Sequence, residues 1–294
     1  MSPGTLVVGI IGGMGPAATV DLQERIIRLT PAADDADHLR VLVDNNPQVP
    51  SRIAALIEGD GESPESCLVA TAKGLVNAGA ELLAMPCNTA HYYHDAVASA
   101  VEVPFINMVE VVGDTMTQRY PGAGRLGLLA STALQVVDLY GGMLRPRGIE
   151  VLFPPGDAQA GLMRLIRAVK AGSVGSDARD LLASAVRELE GQGADVLLVA
   201  CTELSALGAD IVTQVPVLDA AEFELGVPQH TTRGSLGNRV EANLVEIAVG
   251  DVGVSGDVIT VVKPVMEHGV LVSHDAVIRV GITPKLGGVE DAWI

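Results

Sequence analysis

The sequence predicts an α/β fold of two similar lobes with largely parallel sheets, related by pseudo-twofold symmetry, and a β-rich C-terminal extension. Three observations predict it. Continuous apolar runs alternate with amphipathic helical stretches, a set of strand landmarks recurs in order, and the texture of the chain changes after about residue 222.

Leu6-Val7-Val8-Gly9-Ile10-Ile11 is the first apolar run, as expected for a strand covered on both faces. Residues 39–43, 81–85, 126–129 and 195–199 read the same way. Helical patterns lie between them. One follows Pro16, a favoured first-turn residue, through Val20 to Ile27. Another runs from Ser176 to Gln192 with Leu181, Leu182, Ala185, Val186 and Leu189 on one stripe. Strands that alternate with helices favour a parallel arrangement.

The repeat organises these elements into halves. Val7-Val8-Gly9-Ile10 matches Arg125-Leu126-Gly127-Leu128, and Leu82-Leu83-Ala84-Met85-Pro86-Cys87 matches Val196-Leu197-Leu198-Val199-Ala200-Cys201. Val103-Pro104 then matches Val215-Pro216, at nearly equal spacing. The expected lobes are residues 1–110, with 215–222 returning to the first, and 111–214. Two such lobes facing each other bring both cysteines to one interface. Residues 223–294 read as a β-rich appendage, with Val/Ile-rich runs at 256–262, 269–272 and 276–280. Residues 275–285 look somewhat like a segment near the end of phosphomannose isomerases, without that family's metal ligands.

Composition narrows the function. The 294 residues carry a formal charge of −17, which disfavours nucleic-acid phosphates and anionic lipid as partners. An anionic substrate therefore needs specific Lys or Arg residues set against the global field. No apolar run approaches the roughly 18 residues of a membrane span. The opening Met1-Ser2-Pro3-Gly4-Thr5 lacks the basic segment of a signal peptide, so the expectation is a cytoplasmic protein.

Cys67, Cys87 and Cys201 fit neither a disulfide framework nor a zinc module. Cys87 and His91 are one helical turn apart, alone a poor metal site, so no metal is expected. Cys87 and Cys201 each fall at the carboxyl end of a strand, where open α/β sheets bind ligands. A helix start after each would offer free N–H groups, hold a carboxylate and lower a thiol's pKa. A buried cysteine alone is more often a small core hydrophobe; the repeat reverses those odds for this pair. Two thiols on opposite faces of a stereocentre can serve as base and acid. Cys67, at helical spacing with Ala70 and Thr71, is expected in the core.

Several motifs carry a resemblance. Gly9-Ile10-Ile11-Gly12-Gly13-Met14-Gly15-Pro16, Asn46-Pro47-Gln48-Val49-Pro50-Ser51-Arg52, Cys87-Asn88-Thr89-Ala90-His91 and Cys201-Thr202-Glu203-Leu204 resemble the aspartate/glutamate racemase superfamily, in its aspartate racemase branch, over residues 6–221. The resemblance implies a racemase for L- and D-aspartate or a close acidic amino acid, without cofactor, acting as a homodimer. It implies Cys87 and Cys201 as the acid/base pair. Arg52 and, in Val169-Lys170-Ala171-Gly172, Lys170 are implied as carboxylate binders, with Met14, Asn88, Thr89 and Thr202 as further substrate contacts. Alternatives are a hydantoin racemase, a maleate isomerase, an arylmalonate decarboxylase or an inactive ligand-binding module.

Each of these residues has a plainer reading. Arg52 and Lys170 are typical surface cations, and Lys170 can serve a helix C-terminus. Asn88 and Thr89 are ordinary helix caps. His91, one turn past Cys87, could raise that thiolate's population or merely fill space. Glu203 could orient or discharge the Cys201 thiol, or simply occupy a first helical turn. The glycine loop is neither G-x-G-x-x-G nor a Walker motif, so it reads as close backbone approach to a small ligand.

Overall fold

A computed structural model gives the fold and describes residues 6–205, 207, 211–223, 253–254, 258–267 and 270–281. The chain divides into two compact units, Met1–Leu244 and Val245–Ile294.

The first unit holds two parallel sheets. In one, β1 (Val7–Gly12) lies between β2 (Arg40–Asn45) and β3 (Leu82–Ala84), and Phe105 bridges to Leu83 on the far side of β3. In the other, β4 (Arg125–Ala130) lies between β5 (Glu150–Leu152) and β6 (Val196–Ala200), with β7 (Val217–Asp219) outside β6. The two strand orders correspond.

The correspondence reaches single hydrogen bonds. The Glu81 N–H donates to the Val7 carbonyl at 2.8 Å, and the Asp195 N–H to that of Arg125 at 2.9 Å. The Leu83 and Leu197 N–H groups donate to the Pro104 and Pro216 carbonyls, both at 2.9 Å. Gly9 and Gly127 face the same kinds of neighbour. A Cβ on Gly9 would lie 2.8 Å from Ala80 Cβ and from Leu83 Cδ2; one on Gly127 would lie 2.8 Å from Leu197 Cδ2 and 3.1 Å from Ala194 Cβ. Both strands need glycine there because a leucine of the neighbouring strand fills the space.

Helices cover the sheets with apolar stripes. α1 (Pro16–Leu29) starts with proline in its first turn and buries Thr19, Leu22 and Ile26. α2 (Glu65–Asn77) buries Leu68, Ala72 and Leu75 on the first sheet, with α3 (His94–Ala98) beside it. α4 (Met108–Arg119) is capped by the Asn107 side chain, which accepts from the Val109 and Glu110 N–H groups, worth about 1 kcal/mol. It packs with α6 (Leu139–Leu144) in the core of the second sheet, after the short α5 (Thr132–Val136). α7 (Gly156–Lys170) and α8 (Ala178–Gly191) cover the other face. α8 falls inside the predicted 176–192 helix and buries Leu182, Ala185, Val186 and Leu189. A large aliphatic residue buried in this way contributes roughly 1.5–3 kcal/mol.

Residues 215–222 depart from expectation. Their strand joins the second sheet: β7 pairs with β6, and Leu218 and Ala220 sit in the second core beside α4, while Asp219 reaches Arg25 of α1 at 3.7 Å. The single turn α10 (Ala220–Phe223) ends this stretch. Followed through, the repeat explains the placement, because Pro104 also pairs within its own half.

The second unit contains an antiparallel sheet of β8 (Gly253–Val254), β9 (Val258–Glu267) and β10 (Val270–Gly281), in the order β10-β9-β8. The two strands expected at 269–272 and 276–280 are one strand, whose register shifts between Leu271 and Ser273 and again before Ala276. Residues 282–285 of the phosphomannose-isomerase-like segment lie outside the described residues. Among the described residues no helix is long and apolar enough to cross a membrane.

Candidate active site

β3 delivers Cys87 through Met85-Pro86, and β6 delivers Cys201 directly after Ala200. Both thiols are buried and free, and both line a single pocket at the carboxyl ends of these strands. The pocket is open to solvent and spans about 450 Å³, part of it outside the mouth. Of the residues singled out in the sequence, all but His91 line it: Met14, Arg52, Cys87, Asn88, Thr89, Lys170, Cys201, Thr202 and Glu203. Cys67 sits on α2 away from the pocket, half-buried, and its sulfur accepts from the Asn46 amide at 3.7 Å.

The glycine loop shapes one wall. Gly13 has φ 93° and its N–H donates to Thr19 Oγ1 at 2.9 Å. A Cβ there would lie 2.1 Å from the Asn46 carbonyl oxygen. Glycine thus lets the end of β1 press against the loop that carries Arg52, and Met14 is buried behind them.

Cys201 departs from expectation in its electrostatics. α9 (Thr202–Ser205) is a single turn, too short to build a helix field of any reach. Burial pushes the Cys201 thiol well up, and the Glu203 carboxylate pushes it further. The S–H donates to Glu203 Oε2 at 3.0 Å. Lys170 Nζ lies 3.3 Å from the other carboxylate oxygen and pulls the thiol the opposite way. The thiol therefore holds its proton, against a carboxylate that a lysine partly neutralises.

His91 lies outside the pocket lining. A 3-10 turn (Thr89–Tyr93), rather than an α-helix, follows Cys87. It points the imidazole inward, where Nδ1 lies 2.9 Å from the Cys87 carbonyl oxygen and Nε2 3.4 Å from that of Ile106. Burial lowers its pKa to about 4. The ring stacks with His94 and Phe105. A neutral ring bonded to backbone cannot supply positive charge to the thiol, so His91 supports the loop.

Groups suited to an anion remain. Arg52, just before a π-helical turn (Ala54–Glu58), points its guanidinium at the carbonyl oxygens of Pro50 at 3.0 Å, Val49 at 3.3 Å and Met14 at 3.4 Å. These neutral acceptors fix the fork and leave its charge uncompensated; among the described residues no carboxylate pairs with it. Asn88 is buried, and its Nδ2 has no partner among the described residues. Thr89 Oγ1 and Ser131 Oγ share a hydrogen bond at 3.2 Å. Among the described residues no cluster of three or more His, Cys, Asp and Glu could hold a metal ion.

A family model described as Asp/Glu/hydantoin racemase matches residues 11–224. The chain belongs to that family. The protein is thus a racemase, an isomerase of the kind that does not need pyridoxal phosphate. It is 26% identical over 219 residues to the broad specificity amino-acid racemase of Bacillus subtilis (strain 168), covering 73% of this chain and 93% of that one. Among solved structures it is similar to an aspartate racemase of Picrophilus torridus, with TM-score 0.63 and 31% identity, over 74% of this chain and 89% of that one. It is also similar to an aspartate racemase homologue of Pyrococcus horikoshii OT3, with TM-score 0.59 and 25% identity, over 74% and 95%.

The racemase pocket contains residues that the sequence reading missed. Ser131 lies directly after β4, at the place where Gly12 and Gly13 meet the end of β1, so the repeat carried a signal for it. Tyr140 stands behind the pocket and donates its hydroxyl hydrogen to Asn88 Oδ1. A lone tyrosine in an apolar helical run reads as core, and no sequence signal marked it.

Proposed function

We propose that this racemase interconverts L- and D-aspartate, or a close acidic amino acid, by proton transfer at Cα between Cys87 and Cys201. The observation that carries the reading is one buried thiol from each half on a pocket that also presents Arg52, Lys170 and the Asn88 amide. One carboxylate of the substrate meets the Arg52 fork, and the other meets Lys170 and the donors after Cys87. This holds Cα between the two sulfurs.

In the resting arrangement Cys201 is the acid, since its proton is held against Glu203. Cys87 as thiolate takes the Cα proton of one enantiomer, and Cys201 delivers its own proton to the opposite face. The product has inverted configuration, Cys87 is now a thiol and Cys201 a thiolate. Protons balance, and the enzyme is left ready for the reverse direction. A protonated Lys170 beside Glu203 keeps the extra negative charge on Cys201 tolerable.

A wider range of amino acids is the second reading, supported by the broad specificity named for the Bacillus subtilis relative. Lys170 is 39% exposed, so a substrate without a distal carboxylate leaves its ammonium in contact with solvent and with Glu203.

The test is chiral chromatography of each D- and L-amino acid incubated in D₂O. Aspartate should racemise with deuterium entering at Cα, which an inactive binding module would not do. Cys87→Ala and Cys201→Ala should each lose racemisation by on the order of 10²–10⁴-fold in both directions, whereas Cys67→Ala should retain it. Interconversion at the unmodified rate by either of the first two variants overturns the two-thiol mechanism.

A further inference from the structure

Tyr140 is 1% exposed and packs in the core of the second sheet. A phenylalanine would fill such a place without a polar atom to satisfy. The tyrosine hydroxyl instead crosses to the first half and donates to Asn88 Oδ1 at 2.5 Å, within the range of O–H···O bonds. Asn88 lines the pocket, and the same amide's Nδ2 is buried and finds no acceptor among the described residues. A buried donor left unmade costs about 1–3 kcal/mol, a cost removed when a ligand supplies the acceptor.

We infer that Tyr140 is a positioning residue for substrate recognition: its hydroxyl fixes the Asn88 amide so that the NH₂ faces the pocket and donates to a substrate carboxylate. The identity of that anion rests on the acidic amino-acid reading above. The oxygen and nitrogen of a primary amide are nearly equal in size, so shape alone does not choose between its two orientations. Here the Tyr140 hydroxyl donates to the oxygen, which turns that edge of the amide toward α6. In the flipped orientation the amide oxygen faces the carboxylate and repels it. Loss of the hydroxyl therefore divides the enzyme between competent and incompetent forms, and apparent affinity falls with the competent fraction. The substituted step is binding, so KM moves more than kcat.

The donor and its orienter come from different halves. Asn88 follows β3, and Tyr140 belongs to α6 beside β4. The pocket's amide is thus set by the opposite half.

The experiment compares Tyr140→Phe, Asn88→Ala and the double variant in the full chain. It reads KM and kcat for L-aspartate, and the Kd of succinate by calorimetry. Tyr140→Phe should raise KM and the succinate Kd about tenfold, as for loss of one bond to a charged group, with a smaller change in kcat. In the Asn88→Ala background it should add nothing, because its action runs through that amide. A Tyr140→Phe effect that multiplies with that of Asn88→Ala, or an unchanged KM and Kd, overturns the inference. If Tyr140→Phe does not fold, Asn88→Asp decides. It keeps the acceptor for Tyr140 and replaces the NH₂ by an anionic oxygen, so the succinate Kd should rise above that of Asn88→Ala. An unmodified Kd overturns the inference, as does failure of succinate to bind the unmodified enzyme. Failure of the acidic amino-acid reading shows separately, as no racemisation of aspartate or glutamate by the unmodified enzyme.

Discussion

Glu203 stands between a cation and a thiol, and its charge acts in opposite senses on the two. It stabilises the protonated Lys170 and disfavours ionisation of Cys201. Glu203→Gln removes the charge and leaves burial in place. Lys170 then faces the thiol uncompensated. The Cys201 thiol should ionise at lower pH than in the unmodified enzyme, since a raised pKa relaxes downward when one of its causes is removed. The measurement is the pH dependence of iodoacetamide alkylation in a Cys67→Ala, Cys87→Ala background. A midpoint that stays put would show that burial alone holds the thiol up. At this scale the sequence was readable where a residue had a counterpart or a motif. Cys87, Cys201, Arg52 and Asn88 were found that way. The sign of the Cys201 perturbation was not, because it is set first by burial, which spacing does not show, with the Glu203 carboxylate adding to it and Lys170 opposing it. The two readings of His91 stay open in the sequence for a related reason. Spacing put it near Cys87 but did not reveal that its ring turns toward backbone carbonyls.

Among the elements, β1 and β4 are the most constrained, because each is paired on both sides and each has a glycine under a leucine of the next strand. Gly127→Ala should lower stability by about 1–3 kcal/mol through overpacking against Leu197 and Ala194. Calorimetry should show a lower Tm, and Gly9→Ala should behave alike. A Tm equal to that of the unmodified protein would mean that the neighbouring strand yields without cost. Strands and long helices were legible because apolar runs and stripes persist over several residues. The stretches after the two cysteines were not. A 3-10 turn and a single α-turn are too short to generate a periodic pattern, so only the presence of a turn could be read. β10 was divided in two because Ser273, His274 and Asp275 interrupt its apolar pattern, and the chain absorbs them as register shifts within one strand.

For the whole molecule, all the pocket residues lie between Met14 and Glu203, and the family match ends at residue 224. A chain ending at Leu244, the boundary of the first unit, should therefore racemise aspartate with unchanged kcat. A soluble, folded 1–244 chain without activity would mean that the second unit contributes to the site. The net charge of −17 gives the anion groups a further task. The protein as a whole repels a dicarboxylate, so the attraction of Arg52 and Lys170 is local and weakens as salt screens it.

The division of the first unit into two matching sheets, each ending in one cysteine, has a consequence for handedness. On the proposed chemistry, one half with its single sulfur can remove a proton from a carbon centre and return it to the same side. That half would be an isotope exchanger for one mirror image alone, and every molecule would leave with the configuration it had on entry. Inversion needs the second sulfur, approaching from behind. Loss of chirality is thus a property of the pairing and of neither copy.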